Sequence, residues 1–194
     1  MNDFSSFVFG KRGELLALPA LVLAVAGKPS AFSIAAGLPV AFAGEVTRMW
    51  AVGYSGVTTR GDTVTAPALV TAGPYAYVRN PLYVGNFVTA AGFAIAFTGK
   101  NSRPVRWMLA GGSLAAMIAV YATIVPHEEA YLQERFGRLF ERYCIRVPRI
   151  VPRVLPIEDG EGEWEAQTLL TAESKTFATF AAMLAALVVR ARRS

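Results

Sequence analysis

"VRWMLAGGSLAAMIAVYATIV", Val105–Val125, carries a single charge, Arg106, across twenty-one residues. At 1.5 Å per residue a helix of that length measures about 31 Å, the thickness of a bilayer's hydrocarbon layer. Pro126 follows, and then "HEEAYLQERFGRLFERYCIRVPRIVPR", residues 127–153, which is too rich in Glu and Arg to sit in lipid. A span that opens onto a charged, aromatic segment points to a membrane protein whose chemistry is built at the end of its helices.

The rest of the chain agrees with that class. Hydrophobic residues make up 54% of the 194 and charged ones 17%, against about a quarter charged in an average soluble domain; mean hydropathy is +0.38. Further apolar segments lie at Glu14–Gly27, which is short and holds Pro19, at Ala31–Tyr54 and at Leu82–Thr98. Lys28-Pro29-Ser30 and the polar turn Gly99–Pro104 separate them. Thr168–Val189 is a fifth segment that either spans or lies in the interface, because Glu173 and Lys175 shorten its clean apolar run. The expected fold is all-α, a polytopic membrane helix bundle of four to five transmembrane helices. It forms one integral membrane domain over 1–194, with a motif-bearing core at 44–152 and a C-terminal linker and helix at 156–190. Glu158–Glu165, five acidic groups around two glycines, reads as a solvated linker.

Charge gives the orientation. The net charge is +5, but the arginines sit at the ends of apolar runs and form no nucleic-acid-binding block, so they read as anchors for anionic head groups. If all five segments span, Lys11, Arg12, Arg60, Arg79 and six arginines from Arg135 to Arg153 share one face, ten cations against seven on the other. The positive-inside rule makes the richer face cytosolic, which fits an inner or cytoplasmic membrane. The lone Cys144 excludes an internal disulfide, and no removable signal peptide is read at the N-terminus.

Two polar stretches on that face are candidates for a site. In "GPYAYVRNPLYVG", Gly73–Gly85, a Gly-Pro turn and Pro81 hold the backbone open around Tyr75, Tyr77 and Arg79. An interfacial aromatic belt is the simpler reading. The whole cluster is better explained as part of a pocket, since a helix entering at Pro81 exposes free N–H groups and a positive dipole end. The second stretch begins with Glu128 and Glu129 directly after the membrane exit. They are either an acidic helix start or functional groups kept at a costly position. Leu132, Phe136, Leu139, Phe140 and Tyr143 then recur at three- and four-residue steps, as in an amphipathic helix forming a lid or wall. His127 has no Cys or His partner at ligand spacing, so no metal site is expected. Glu45 and Arg48, late in the second span, read either as polar markers of a substrate path or as an ion pair that stabilises packing.

Taken in order, Gly73, Tyr75, Arg79, Asn80, Pro81, Tyr83 and Gly85, then Glu128, Glu129, Leu132, Phe136, Gly137, Tyr143, Val147, Pro148, Arg149 and Pro152 resemble the isoprenylcysteine carboxyl methyltransferase and phospholipid methyltransferase superfamily of integral membrane enzymes. Arg48, Trp50 and Ala51 match its upstream Arg-x-Trp-Ala, and the resemblance covers about Gly44 to Pro152. It implies a methyltransferase with a cytosolic-face pocket for S-adenosylmethionine. Cofactor contacts would fall to Leu69, Val70, Tyr75, Arg79, Asn80, Pro81, Leu82, Tyr83 and Glu128. Asn80 stands where eukaryotic members carry histidine, which removes a proton-transfer role there. Ile124 stands where prenylcysteine enzymes carry the arginine associated with the substrate carboxylate.

For an acceptor that must lose a proton, Glu129 or His127 is the candidate catalytic base. The acceptor is expected to be a lipid or lipophilic small molecule, an isoprenylcysteine-type carboxylate, a phospholipid amine or a small thiol, with the membrane as the other partner and no nucleic acid. The competing reading is a small membrane transport or scaffold protein, which accounts for the composition but not for two polar constellations at this separation.

Overall fold

A computed structural model describes residues 3–56 and 66–193, with the backbone alone for residues 3–6 and 170–172; Arg60, counted above for orientation, lies outside the described residues. Seven helices and no strand are present among them: α1 Asp3–Ala26, α2 Ala31–Ser55, α3 Pro81–Phe97, α4 Arg103–Phe136, α5 Arg138–Arg146, α6 Ala166–Ala172 and α7 Ser174–Arg193. The all-α expectation holds. By length and composition α4 and α7 are able to cross a membrane, and α3 is a shorter apolar helix.

Local sequence explains where these helices start and how they pair. Ser30 caps α2: its hydroxyl accepts from the Ser33 N–H at 3.1 Å, and Ser33 Oγ accepts from the Ser30 N–H at 2.9 Å, a reciprocal box that satisfies free donors. Pro81 opens α3 at its first turn, where a missing N–H costs nothing. The α2 and α3 backbones then approach closely, because the contact is lined by small residues. A Cβ on Gly37 would fall on the Gly92 carbonyl and the Ala96 backbone, and one on Gly92 would fall on the Ala41 backbone. Small residues at such spacing let helices pack without a hydrophobic driving force.

The bundle has two distinct ends. At one, the Asn101 side chain stitches the α1–α2 and α3–α4 turns together, accepting from the Lys28 N–H at 2.8 Å and donating to the Ala26 carbonyl at 3.1 Å. Arg190, near the end of α7, donates there to the Gly27 carbonyl at 2.7 and 3.0 Å. At the other end lie the loop before α3, the last turns of α4, and α5. Between them Leu23, Phe93, Phe97, Leu109 and Leu187 form one buried cluster, and Val8, Phe9, Tyr121 and Ile124 another.

Three expectations are corrected. The first apolar segment is not short as a helix: α1 runs 24 residues and passes through Pro19. Helix α4 runs through Pro126 to Phe136, so it is about 51 Å long and outruns the hydrocarbon layer by several turns. The amphipathic helix expected beyond it is two pieces broken at Gly137, whose φ of 52° lies in the region that favours glycine. Phe140 and Tyr143 are buried and Leu132 and Phe136 pack against them, but Leu139 points outward. Finally, Thr168–Val189 is two helices broken at Glu173, whose buried carboxylate turns inward.

Candidate functional site

The loop before α3 is built first by its backbone. Gly73 has φ 58°, and a Cβ there would enter the Tyr54 ring, so only glycine lets the chain pass. One tight helical turn, Gly73–Ala76, follows. The segment after α5 pairs with this loop as an edge strip would: the Arg79 N–H donates to the Pro148 carbonyl at 2.8 Å, Arg153 N–H to Tyr77 at 3.0 Å, and Ile157 N–H to Ala76 at 3.2 Å. Tyr143 adds a hydroxyl donated to the Tyr75 carbonyl at 2.8 Å. Burial pushes the Tyr75 and Tyr143 phenols up from their ordinary range, so both keep their protons.

Glu129 is the clasp that fastens this loop to α4. Its Oε1 accepts from Arg79 Nε at 3.0 Å and its Oε2 from Arg149 Nε at 2.9 Å, with Asn80 Nδ2 at 3.4 Å from Oε1. Arg79 Nη2 also donates to Glu129 Oε2 at 3.4 Å, and its Nη1 donates to the carbonyls of Cys144 and Val147 at 3.1 and 2.7 Å. A carboxylate shared by two guanidinium groups gains charge-assisted hydrogen bonds only in its ionised form. Its neighbour Glu128 has a different partner, accepting from the Tyr83 hydroxyl at 2.8 Å. Tyr83 in turn lies 4.4 Å, centroid to centroid, from Tyr121.

These groups enclose a cavity of about 600 Å³, within the range of about 300–1,000 Å³ typical of small-molecule sites. Leu69, Val70, Tyr75, Arg79, Asn80, Pro81, Leu82, Tyr83 and Glu128 all line it, as does Glu129. His127 is not among the lining residues; its Nε2 is buried and finds no hydrogen-bond partner among the described residues. Ile124 is buried against Val8, Phe9 and Tyr121.

Sequence reasoning missed half of the wall. Phe9, Arg12, Gly13 and Leu16 of α1 line the cavity, and so do Gly162, Glu163, Glu165, Thr168 and Glu173. The acidic stretch is therefore not a free linker. The Glu161 carbonyl accepts from the N–H groups of Thr71 and Ala72 at 2.8 and 3.0 Å, and Glu165 N–H donates to Gly53 at 2.9 Å. A Cβ on Gly53 would run into the Trp164 indole. Beneath this strap, Arg48 pairs with Glu173 and lies 3.7 Å from Glu45. It also donates to Asn86 Oδ1 at 2.8 Å and Thr176 Oγ1 at 3.1 Å, while Asn86 donates to the Tyr121 hydroxyl at 2.8 Å. Of the two readings of Glu45 and Arg48, the packing role is thus directly seen, and Arg48 also faces the cavity. Glu173 was visible in the sequence only as a charge that interrupts an apolar run.

Comparison with known proteins bears on what such a cavity holds. Similarity is found to the protein-S-isoprenylcysteine O-methyltransferase of Schizosaccharomyces pombe, 34% identical over 92 residues, which is 44% of this chain and 34% of that protein. The cobalt-zinc-cadmium resistance protein CzcN of Cupriavidus metallidurans is 33% identical over 119 residues, 61% of this chain and 48% of its own. The nickel-cobalt-cadmium resistance protein NccN of Alcaligenes xylosoxydans xylosoxydans is 32% identical over 114 residues, 56% and 45% respectively. The chain thus spans between about a third and a half of the length of these curated relatives. No solved structure matches it. The phospholipid methyltransferase family profile matches residues 32–139, a span that runs from the first turn of α2 through the loop, α3 and the paired glutamates into α5. Since that is more than half of its residues, the chain belongs to the phospholipid methyltransferase family.

Proposed function

We propose that this protein is an integral membrane methyltransferase that moves a methyl group from S-adenosylmethionine to a lipophilic acceptor, working at the cytosolic face of a bundle of four to five spans in the inner or cytoplasmic membrane. The observation that carries the reading is the convergence of Leu69, Val70, Tyr75, Arg79–Tyr83 and Glu128, from a loop and two helices, on one cavity. The ends of the bundle support the topology, because the two turns and the C-terminal end of α7 meet opposite the cavity.

The lining fits the cofactor. An apolar wall at Leu69, Val70 and Leu82 suits an adenine ring, and Asn80 and the tyrosine hydroxyls offer hydrogen bonds to its polar edges and ribose. Burial raises the Glu128 carboxyl above its ordinary range while the Tyr83 hydroxyl holds it in place, and a cationic ligand beside it would favour its charged form. When bound, S-adenosylmethionine supplies an electrophilic methyl group on a sulfonium. The protein's share would then be to hold the partners in line and to limit water at the reacting centre, a part suited to the wall of Tyr75, Tyr83, Tyr121 and Tyr143.

We assign Glu129 to holding the loop rather than to taking a proton, because both of its oxygens are engaged by cations. With His127 outside the lining as well, an acceptor that reacts as its anion, a carboxylate or thiolate, suits the cavity better than an amine that must first be deprotonated. The metal-resistance names of two relatives transfer no ligand set to this chain: no three His, Cys, Asp or Glu side chains stand together where they could hold an ion, among the described residues. Calorimetry of the purified protein in nanodiscs tests the reading. Saturable binding of S-adenosylmethionine and of its demethylated product is expected, and binding of neither would overturn it.

A further inference from the structure

The outward-facing apolar side chains of the segment beside the cavity have no part in the reading above. From Arg138 to Leu155 the chain carries five arginines and one acidic residue, Glu141. Interleaved with them are large apolar side chains that face outward: Ile145 is 85% exposed, Val151 76%, Val154 92% and Leu155 70%. A monomer in water rarely leaves so much contiguous apolar surface uncovered. A shallow depression bounded by Arg146, Arg153, Leu155 and Ile157 adjoins it.

Its level in the molecule identifies what covers it. Residues 148–157 are hydrogen-bonded to Ala76, Tyr77 and Arg79, immediately before α3 begins at Pro81. Tyr77 also stands 6.1 Å, ring to ring, from Trp50 near the end of α2. Val151, Val154 and Leu155 are therefore carried by a segment fastened to the loop at the start of α3, close to the ends of α2 and α3, where a bilayer's hydrocarbon gives way to head groups. Apolar side chains among arginines at that depth match a boundary that is apolar below and anionic above.

We propose that residues 138–155 form an interfacial wedge, with Ile145, Val151, Val154 and Leu155 inserted at the acyl boundary of an anionic leaflet and the exposed Arg138 and Arg142 reaching its head groups, while Arg146 pairs with Asp159 and Arg149 with Glu129. The inference rests on the membrane placement proposed above but not on the methyl transfer. The wedge touches the site directly, since Arg149 within it holds Glu129 and its carbonyl accepts from Asn80 Nδ2 at 3.1 Å. Lipid contact at the wedge and the order of the cavity loop are thereby joined.

The test uses full-length protein with Cys144→Ser, so that a single introduced cysteine carries an environment-sensitive fluorophore. Three positions are compared in nanodiscs containing tail-brominated lipid: Val154→Cys in the wedge, Ile118→Cys on the outer face of α4, and Glu134→Cys in the exposed last turn of that helix. With phosphatidylglycerol present, the label at 154 should lose fluorescence as the label at 118 does, while 134 stays bright and open to aqueous iodide. The loss at 154 should shrink in pure phosphatidylcholine discs, and likewise when Arg138→Gln and Arg142→Gln are combined. A label at 154 as open to iodide as that at 134, with 118 quenched, overturns the wedge while leaving the span intact. Equal quenching at 154 in both lipids overturns the anionic preference. Self-quenching at 154 that is relieved by dilution with unlabelled protein assigns the surface to a second copy instead. No quenching at 118 removes the membrane placement and the wedge with it.

Discussion

Replacing Glu129 with glutamine separates the clasp from the ligand site. The substitution keeps the side chain's size and one accepting oxygen but removes the charge that two arginines share. Arg149 is half exposed, so its pairing is screened and contributes no more than about 1 kcal/mol. Arg79 is only 11% exposed, and leaving a buried cation without its partner costs about 3–5 kcal/mol. The carbonyls of Cys144 and Val147 remain bound to it, which places the expected loss at the low end, about 3 kcal/mol. At 1.4 kcal/mol per factor of ten, the loop should open about a hundred-fold more often. Hydrogen exchange reads this at the amides of Arg79 and Arg153, which donate across the pairing to Pro148 and Tyr77, and their protection should fall by about that factor. Glu128→Gln should leave those amides protected and instead weaken S-adenosylmethionine binding, by the roughly tenfold or more that a charge-assisted hydrogen bond is worth. Unchanged protection in Glu129→Gln, or an equal loss in both variants, would refute the division of roles between the two glutamates.

Three further outcomes follow from the geometry. Tyr83→Phe removes the hydroxyl that orients Glu128, and calorimetry should find cofactor binding weakened about tenfold with thermal stability little changed; undiminished affinity would show that Glu128 needs no such holder. Glu173→Gln leaves buried Arg48 without its full counter-charge, so the strap at 161–165 should be cut faster by a glutamate-specific protease, and an unaltered rate would mean that the strap is held by its backbone bonds alone. Gly92→Leu drives a side chain into the Ala41 backbone and should abolish the monodisperse folded peak in size exclusion, whereas Gly111→Ala, with open space around it, should gain up to about 1 kcal/mol from helix propensity.

The sequence was most legible where local chemistry decides the outcome. Pro81 at a helix start, Ser30 as a cap and the apolar length of Val105–Val125 each depend on residues within a turn of themselves, and the helices formed there. The extent of helices at prolines was less legible. Pro19 and Pro126 remain inside α1 and α4, and whether a helix passes through a proline depends on its tertiary surroundings, which are not readable from a single segment. The candidate cofactor contacts line one cavity, but the roles of adjacent Glu128 and Glu129 diverge only through partners 20 to 50 residues away, Arg149, Tyr83 and Arg79. The strap was the least legible part. Its composition is that of a solvated linker, and it is held by backbone bonds and one buried carboxylate that no periodicity announces.

The cavity has two halves with different origins. Arg48, the loop, the start of α3 and the paired glutamates lie inside the matched span, residues 32–139, while Phe9, Arg12 and Leu16 of α1 and the strap residues 162–173 lie outside it. On the reading proposed above, a cofactor common to the family is met by the part of the wall inside the matched span. We propose that the acceptor meets what remains, where the chain offers an apolar face at Phe9 and Leu16 with the Arg12 guanidinium 4.1 Å above the Phe9 ring. Ile124, the position where the resemblance places a substrate-binding arginine in other members, is sealed beneath Val8 and Phe9 of that same helix. The cation that an anionic acceptor would meet is therefore brought to the cavity by α1, one turn beyond the residues that bury Ile124. Differences in α1 and in the strap, more than in the shared loop, are where one member's acceptor would part from another's.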